Sequence, residues 1–207
     1  MKLIGFYDYT VVLTYLSLVS GMAGIHCAHQ GKAAWAIGCL MLSGICDMFD
    51  GAVARTKKNR TADEKNFGIQ LDSLCDAVCF GVFPAIFLYF RGVNSLWGVA
   101  ALIFYVLCAI IRLAFFNVLE IRRQTEEDGC AKYYRGLPVT TAAILLPLCF
   151  GVGLVASEAV MAVVYHALPV VMGLLFIADF RIPKIDVGKL LPKRPAAEEE
   201  KTETAHL

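Results

Sequence analysis

Six long apolar segments follow one another along the chain, separated by short polar stretches. They cover residues 11–29, 33–54, 68–90, 95–118, 137–156 and 158–178. A helix needs about 20 apolar residues to cross the roughly 30 Å of hydrocarbon in a bilayer, and each segment has about that length. A membrane β-barrel would instead show alternating polarity over segments of ~10 residues, and no such alternation persists here. The pattern therefore predicts an all-α integral membrane protein with six transmembrane helices.

The composition agrees with a chain that faces lipid rather than water. Hydrophobic residues make up 58% of the chain and charged residues only 18%, against roughly 25% charged residues in soluble domains. The net charge of +1 argues against a nucleic-acid partner. We therefore predict a membrane domain over residues 1–180 that contacts the lipid bilayer. Residues 181–207 are basic and then acidic, and they predict a cytoplasmic tail that is disordered at its end.

The lysines and arginines are distributed asymmetrically between the predicted loops. All but two of the 19 basic residues, Lys32 and Arg91, fall at the termini, between spans two and three, or at and after the end of span four. Basic residues concentrate in cytoplasmic loops. This distribution predicts a multi-pass protein of the cell membrane with both termini in the cytoplasm, which requires an even number of spans.

Four aspartates lie inside apolar segments, where charge is costly. Asp47 and Asp50 are near the end of the second segment, and Asp72 and Asp76 are near the start of the third. Residues three or four apart share a helix face, and both helix ends are predicted to be cytoplasmic. One intramembrane charge costs ~2.5–3.5 kcal/mol on insertion scales, and neighbouring like charges add to the cost. Two hard divalent cations with oxygen ligands would neutralise all four.

Glycines and an arginine accompany the aspartates. Gly51 and Gly68 remove side chains beside the acids, which leaves room for a ligand at the helix backbones. Arg55 follows in the polar loop and is suited to a phosphate. Helix capping or pairing with nearby Lys and Arg would explain one aspartate at a membrane surface. Four at helical spacing on two apolar segments favour a metal and phosphate site instead.

These residues form a pattern that resembles a known signature. The chain contains D-x-x-D-G-x-x-A-R and, after a spacer, G-x-x-x-D-x-x-x-D, which resembles the motif of the CDP-alcohol phosphatidyltransferase family. The positions are Asp47, Asp50, Gly51, Ala54, Arg55, Gly68, Asp72 and Asp76. Within the family the chain is most similar to the phosphatidylserine synthases. That similarity rests on LDSLCD at 71–76, FGVFPA at 80–85, RL at 112–113, FN at 116–117 and GLP at 136–138.

The resemblance implies a six-span helical fold, a homodimer and an active site open to the cytoplasm. It implies that Asp47, Asp50, Asp72 and Asp76 bind two divalent cations, Mg²⁺ or Mn²⁺, and that Asp76 also accepts the proton of the acceptor hydroxyl. The implied reaction transfers a phosphatidyl group from CDP-diacylglycerol to serine and releases CMP. Gly51, Ala54, Arg55 and Gly68 are then expected to line the CDP pocket.

The chain departs from the family pattern at four places. Twelve residues, TKKNRTADEKNF, separate the two halves of the motif, which is longer than the usual spacer. Ser17 and Thr140 replace an expected Asn and Pro, and Phe115 replaces a basic residue. Because serine carries a carboxylate that needs a cation, we expect Arg112, and after it Arg135, to bind the acceptor.

Two alternatives to serine transfer remain open at this point. The acceptor could be another polar alcohol, such as glycerol 3-phosphate, inositol or inositol phosphate, with Lys57, Lys58 and Arg60 supplying cations for a phosphate. The chain could instead be a divalent-cation transporter that uses the same aspartates. The spans show no evident inverted repeat of the kind common in transporters, which favours the enzyme.

Overall fold

The computed structural model describes residues 4–54, 56–57, 59–125 and 133–183, with the backbone alone for 123–125, 133–135 and 181–183. The helices are α1 Val12–His29, α2 Ala33–Ala54, α3 Ala62–Asp76, α4 Phe83–Phe90, α5 Leu96–Thr125, α6 Ala142–Val152 and α7 Glu158–Ile177. Single 3₁₀ turns, Tyr9–Val11 and Val139–Thr141, precede α1 and α6. A π-helical segment, Ala77–Val82, joins α3 to α4 in one continuous rod.

Five of the helical rods in the described residues are long and apolar enough to cross a membrane. They are Tyr9–His29, Ala33–Ala54, Ala62–Phe90, Leu96–Arg122 and Glu158–Ile177. Val139–Val152 is a shorter apolar helix in the position of the fifth predicted span. The all-α membrane class predicted from hydropathy is confirmed.

The fifth predicted span is shorter than the apolar run that predicted it. Its 14 residues rise about 21 Å as a helix, less than the thickness of the hydrocarbon. The helix ends at Val152, and the chain then turns through Gly153 before the next helix starts at Glu158. Leu154 and Val155, which extended the apolar run, lie exposed in that turn.

The third span starts six residues earlier than its apolar segment. Thr61 caps α3 by accepting a hydrogen bond from the Glu64 amide at 3.2 Å, while the Glu64 carboxylate accepts one from the Thr61 amide at 2.8 Å. This capping box satisfies free amides at the helix N-terminus. The first turns of α3 are polar, so hydropathy did not include them.

Helix α1 buries mainly small residues and exposes several of its large ones. Its buried residues are Thr14, Ser17, Ser20, Gly21, Gly24 and Ala28, while Leu16, Val19 and Met22 are exposed. Small residues let membrane helices approach closely. The Ser17 and Ser43 hydroxyls lie 2.7 Å apart between α1 and α2. Ser17, the residue that departs from the family pattern, therefore joins the two helices.

The centre of the bundle lies around the π-helical segment. Phe80, Phe83 and Phe87 are almost completely buried there. Pro84 has no amide to donate to the carbonyl of Phe80 four residues earlier, and the Tyr105 hydroxyl of α5 donates to that carbonyl at 2.5 Å. The rod that carries Asp72 and Asp76 is thus fixed against α5.

A two-stranded antiparallel sheet, absent from our sequence prediction, joins the chain beyond α5 to the end of α7. Strand β1, Tyr133–Arg135, pairs with β2, Arg181–Pro183. Gly136 follows β1 with φ +67°, and a Cβ there would approach the Ala178 carbonyl oxygen to 3.0 Å. A glycine is therefore required at the start of the GLP motif. The predicted tail from residue 184 onward lies outside the described residues.

Candidate active site

The four predicted metal-binding aspartates meet between α2 and α3. Asp47, Asp50 and Asp72 each place one carboxylate oxygen within 4.8 Å of the others. Asp76 lies one turn further along α3, close to Asp47. Asp50 and Asp76 are only 9% and 8% exposed. Helical spacing on two adjacent helices therefore brings Asp47, Asp50 and Asp72 together, and metal binding by all four aspartates stays a prediction.

Two hydrogen bonds from residues outside the aspartate pattern hold these helices in place. Thr14 of α1 donates a hydrogen bond to Asp50 at 3.2 Å. Ser73, next to Asp72, donates one to the Asn117 side-chain oxygen of α5 at 2.7 Å. The sequence placed Ser73 and Asn117 in two separate motifs without giving them a role. Their contact ties α5 to the helix that carries Asp72 and Asp76.

A cavity of about 490 Å³ opens beside the aspartates. We call it the aspartate cavity. It is lined by Thr10, Val11, Thr14, Asp50, Gly51, Ala54, Lys57, Arg60, Lys65, Gly68, Ile69, Asp72 and Glu120. Its volume falls within the range of roughly 300–1,000 Å³ that is usual for small-molecule sites.

Three of the four residues expected to bind CDP line the aspartate cavity. Gly51 and Ala54 come from the end of α2, and Gly68 comes from α3. The fourth, Arg55, lies outside the described residues, as does Lys58. The cavity also contains Lys65 and Glu120, which the sequence analysis did not single out because they lie in no motif.

The N-terminal segment is bound to the connection between α2 and α3, residues 55–61. Lys57 donates to Asp8 at 2.8 Å and to Glu64 at 3.0 Å. The Tyr9 hydroxyl lies 3.1 Å from that of Thr56. The hydrogen bond from Lys57, together with those from Thr10, lowers the pKa of Asp8 to about 2. Lys57 therefore lines the cavity with its charge already matched by carboxylates.

Arg112 lines a separate cavity of about 250 Å³, which we call the arginine cavity. Its lining is Ile111, Arg112, Phe115, Phe176, Ile177, Ala178 and Asp179. Arg112 is 8% exposed, and its guanidinium lies 5.3 Å from the centre of the Phe116 ring. Its Nε is buried without a hydrogen-bond partner. The side chain of Arg135, the other expected acceptor contact, is outside the described set.

The aspartate cluster fits a divalent cation. One oxygen of Asp72 is buried and receives no hydrogen bond, which is costly for a carboxylate unless a cation lies next to it. Opposite oxygen ligands of Mg²⁺, at about 2.1 Å from the ion, are about 4.2 Å apart. Adjacent ligands are closer still, so the three oxygens, which lie within 4.8 Å of one another, would shift slightly inward around a bound cation, and carboxylates are the ligands that Mg²⁺ and Mn²⁺ prefer.

The comparison with known families agrees with this geometry. Residues 9–176 match the family model described as CDP-alcohol phosphatidyltransferase. The match covers all six helical rods and all four aspartates. The chain therefore belongs to the CDP-alcohol phosphatidyltransferase family and is a multi-pass membrane transferase. The enzyme prediction is confirmed over the transporter alternative.

Relatives in this family carry names that refer to serine. The chain is 34% identical to archaetidylserine synthase of Methanothermobacter thermautotrophicus, over 89% of this chain and 73% of the relative. It is 33% identical to the CDP-diacylglycerol–serine O-phosphatidyltransferase of Methanocaldococcus jannaschii, over 88% of this chain and 76% of the relative. The enzyme of that name in Saccharomyces cerevisiae is 39% identical over 53% of this chain but only 40% of its own length. No solved structure matches the chain significantly.

Proposed function

We propose that this enzyme transfers a phosphatidyl group from CDP-diacylglycerol to L-serine, releasing CMP and forming phosphatidylserine in phospholipid biosynthesis. The observation that carries the proposal is the aspartate cavity, in which Asp50 and Asp72 share one lining with Gly51, Ala54 and Gly68. Serine is supported by the names of the relatives, which share serine and differ in the lipid part.

Asp47, Asp50, Asp72 and Asp76 would hold two divalent cations, Mg²⁺ or Mn²⁺. Bound there, the cations would supply charge neutralisation for a diphosphate and for its leaving group. Gly51, Ala54, Gly68 and, by motif position, Arg55 would hold the nucleotide. The apolar outer surface of the helices would keep the acyl chains in lipid. The bond between the two phosphates breaks, and the phosphatidyl phosphorus bonds to the serine oxygen.

Asp76 is the proposed general base. It lies one turn beyond Asp72 and is almost fully buried beside Asp47. A serine hydroxyl is a weak nucleophile at neutral pH, so a carboxylate that accepts its proton accelerates attack. In this role Asp76 would receive the proton as the hydroxyl oxygen bonds to phosphorus.

Arg112 and Arg135 are the proposed contacts for the serine carboxylate. Arg112 offers a buried Nε with no protein partner, and a buried donor of this kind gains from an anion. A Cβ on Gly136 would lie 3.7 Å from that nitrogen. The RL and GLP motifs of the sequence therefore meet at this arginine, which supports a shared role in acceptor binding.

A panel of acceptors tests the function. CMP release from CDP-diacylglycerol by the purified full chain should require serine and should be slow with glycerol 3-phosphate, inositol, inositol phosphate or no acceptor. Asp72→Asn, assayed in parallel, controls for contaminating activity. A faster reaction with another acceptor would assign that alcohol instead and would retain the family chemistry.

We also propose that the site faces the cytoplasm and that the enzyme is a homodimer. The excess of basic residues at one end of the helices supports the orientation, and the family resemblance supports the dimer. Cysteine at Asn59 should react with an impermeant reagent only from the cytoplasm, and cysteine at Asn94 only from outside. Both positions are exposed, and a reversed result would invert the topology. Crosslinking in native membranes should trap a dimer, and monomers alone would contradict it.

A further inference from the structure

We propose that Arg60, in the connection between α2 and α3, binds a phosphate oxygen of the nucleotide part of CDP-diacylglycerol. This inference rests on the proposed function, because it takes the donor from there. Arg60 belongs to the extended spacer between the two halves of the family motif and is not one of the motif positions. It would therefore be a binding residue particular to chains with this longer connection.

The guanidinium of Arg60 lies directly on the backbone of α3. Its Nη2 is 2.7 Å from the place that a Cβ of residue 68 would occupy, so the guanidinium lies in space that Gly68 leaves open. The same nitrogen donates to the Glu64 carbonyl oxygen at 3.0 Å. This contact holds Arg60 at the wall of the aspartate cavity, beside a residue expected to bind CDP.

Arg60 keeps unused hydrogen-bonding capacity in this position. Its Nε is buried and has no partner, although an arginine offers five N–H donors. Within the described part of the chain, no carboxylate lies within ion-pair distance of Arg60, and both ion pairs there belong to Lys57. Two cations of one connection thus differ: Lys57 is already neutralised, and Arg60 has charge and donors available for a ligand.

The depth of Arg60 favours a nucleotide phosphate over the serine carboxylate. Gly68 precedes Asp72 by one turn and Asp76 by two, which are roughly 6 and 12 Å along the helix axis. The serine carboxylate must stay near the hydroxyl that reacts beside Asp76. The acyl chains of the donor remain in the bilayer. The nucleotide therefore points away from the bilayer, toward the polar α2–α3 connection where Arg60 lies. A planar guanidinium is also well matched to phosphate oxygens.

The test measures binding of CDP, a soluble probe without acyl chains, to the purified full chain with Mg²⁺. Arg60→Gln should weaken CDP binding by roughly tenfold or more, because it removes a charged hydrogen bond. Arg60→Lys should lose less, since it keeps the charge but not the fork. Arg122→Gln, which removes an exposed positive charge near the end of α5, should stay within twofold of the wild type. Thermal unfolding shows whether each variant is folded. If Arg60→Gln does not fold, the CDP affinity of Arg60→Lys tests the proposal instead.

Kinetics distinguish the two possible anions. Arg60→Lys should raise the KM for CDP-diacylglycerol and leave the KM for serine unchanged. Unchanged CDP affinity in a folded Arg60 variant, or a rise in the serine KM alone, would overturn the proposal. The binding series does not depend on turnover. If the wild type binds CDP but releases no CMP with any acceptor, the proposed function fails while the role of Arg60 is still decided.

Discussion

The aspartate cavity and the arginine cavity lie at the same end of the helix bundle and differ in their charged groups. The first, at about 490 Å³, combines carboxylates deep between two helices with three basic side chains from the adjoining polar segment. The second, at about 250 Å³, places one arginine among apolar and aromatic walls, with Asp179 also in its lining. A phosphate-containing ligand that binds together with metal cations matches the first. The second has the size for one small group, and the buried Nε of Arg112 offers that group a hydrogen-bond donor.

The two cavities also differ in the buried charged group that lacks a hydrogen-bond partner. In the aspartate cavity Asp72 has a buried oxygen without a hydrogen-bond donor, and in the arginine cavity Arg112 has a buried nitrogen without an acceptor. Buried charged groups are stable only when they are paired. The first cavity therefore needs cations and the second an anion. Substitutions in one cavity should affect a different step of binding from substitutions in the other.

The largest effect is expected from removing a metal ligand. Asp72→Asn should reduce CMP release by at least roughly 10³-fold, since a catalytic metal site contributes several kcal/mol. EDTA should abolish the wild-type activity, and Mg²⁺ or Mn²⁺ should restore it. Without metal, Asp72→Asn should raise Tm, because it removes repulsion among the aspartates. Full activity in chelator would contradict the metal site.

The next largest effect is expected from the proposed base. Asp76→Asn should slow transfer to serine by at least roughly 10²-fold, which is the lower range for general-base help. Affinity for CDP-diacylglycerol should fall much less, because the other three aspartates remain. Single-turnover CMP release together with substrate binding measures both quantities. Near-normal turnover of this variant would remove Asp76 from the proton transfer.

A smaller and more selective effect is expected in the arginine cavity. Arg112→Lys should raise the KM for serine several-fold and change the affinity for CDP-diacylglycerol little, because lysine keeps the charge but loses the bidentate geometry. Arg91→Lys is the matched control, since Arg91 lies in the turn before α5 at the other end of the bundle and rests on the Tyr165 ring. An unchanged serine KM would leave Arg135 as the proposed contact.

The smallest effect is expected at the edge of the aspartate cavity, where Asp8 pairs with Lys57. Asp8→Asn removes the ion pair with Lys57 but keeps an oxygen that accepts the hydrogen bond from the Thr10 amide. The substitution should therefore lower Tm only slightly. The pKa of Asp8 is lowered to about 2, below about 3.9 for an unfolded chain. Its stabilisation is therefore fully present above about pH 4 and is lost as the pH falls toward 2. Thermal unfolding should show a constant difference from the wild type between pH 5 and 8, and a changing difference there would point to another group.

The sequence predicted those parts of the structure that depend on local pattern. Apolar runs marked the helices, and spacing of three and four placed Asp47, Asp50, Asp72 and Asp76 on facing sides. Contacts between distant segments left no such signal. Hydropathy could not show that Arg60 lies against Gly68, because that contact depends on how the α2–α3 connection folds back. It also overlooked the polar first turns of α3, although Thr61 and Glu64 have the spacing of a capping box.

The hydrogen bond from Thr14 to Asp50 has a consequence for the order in which the protein is made. Proteins are synthesised from the N-terminus, and early segments can fold before later ones exist. Thr14 and Asp50 lie on α1 and α2, so this bond joins two helices that leave the ribosome before α3. Asp50 can therefore find a donor within the hairpin of α1 and α2. The growing chain can thus carry one of its costly carboxylates into the membrane before the helix with Asp72 and Asp76 has been synthesised.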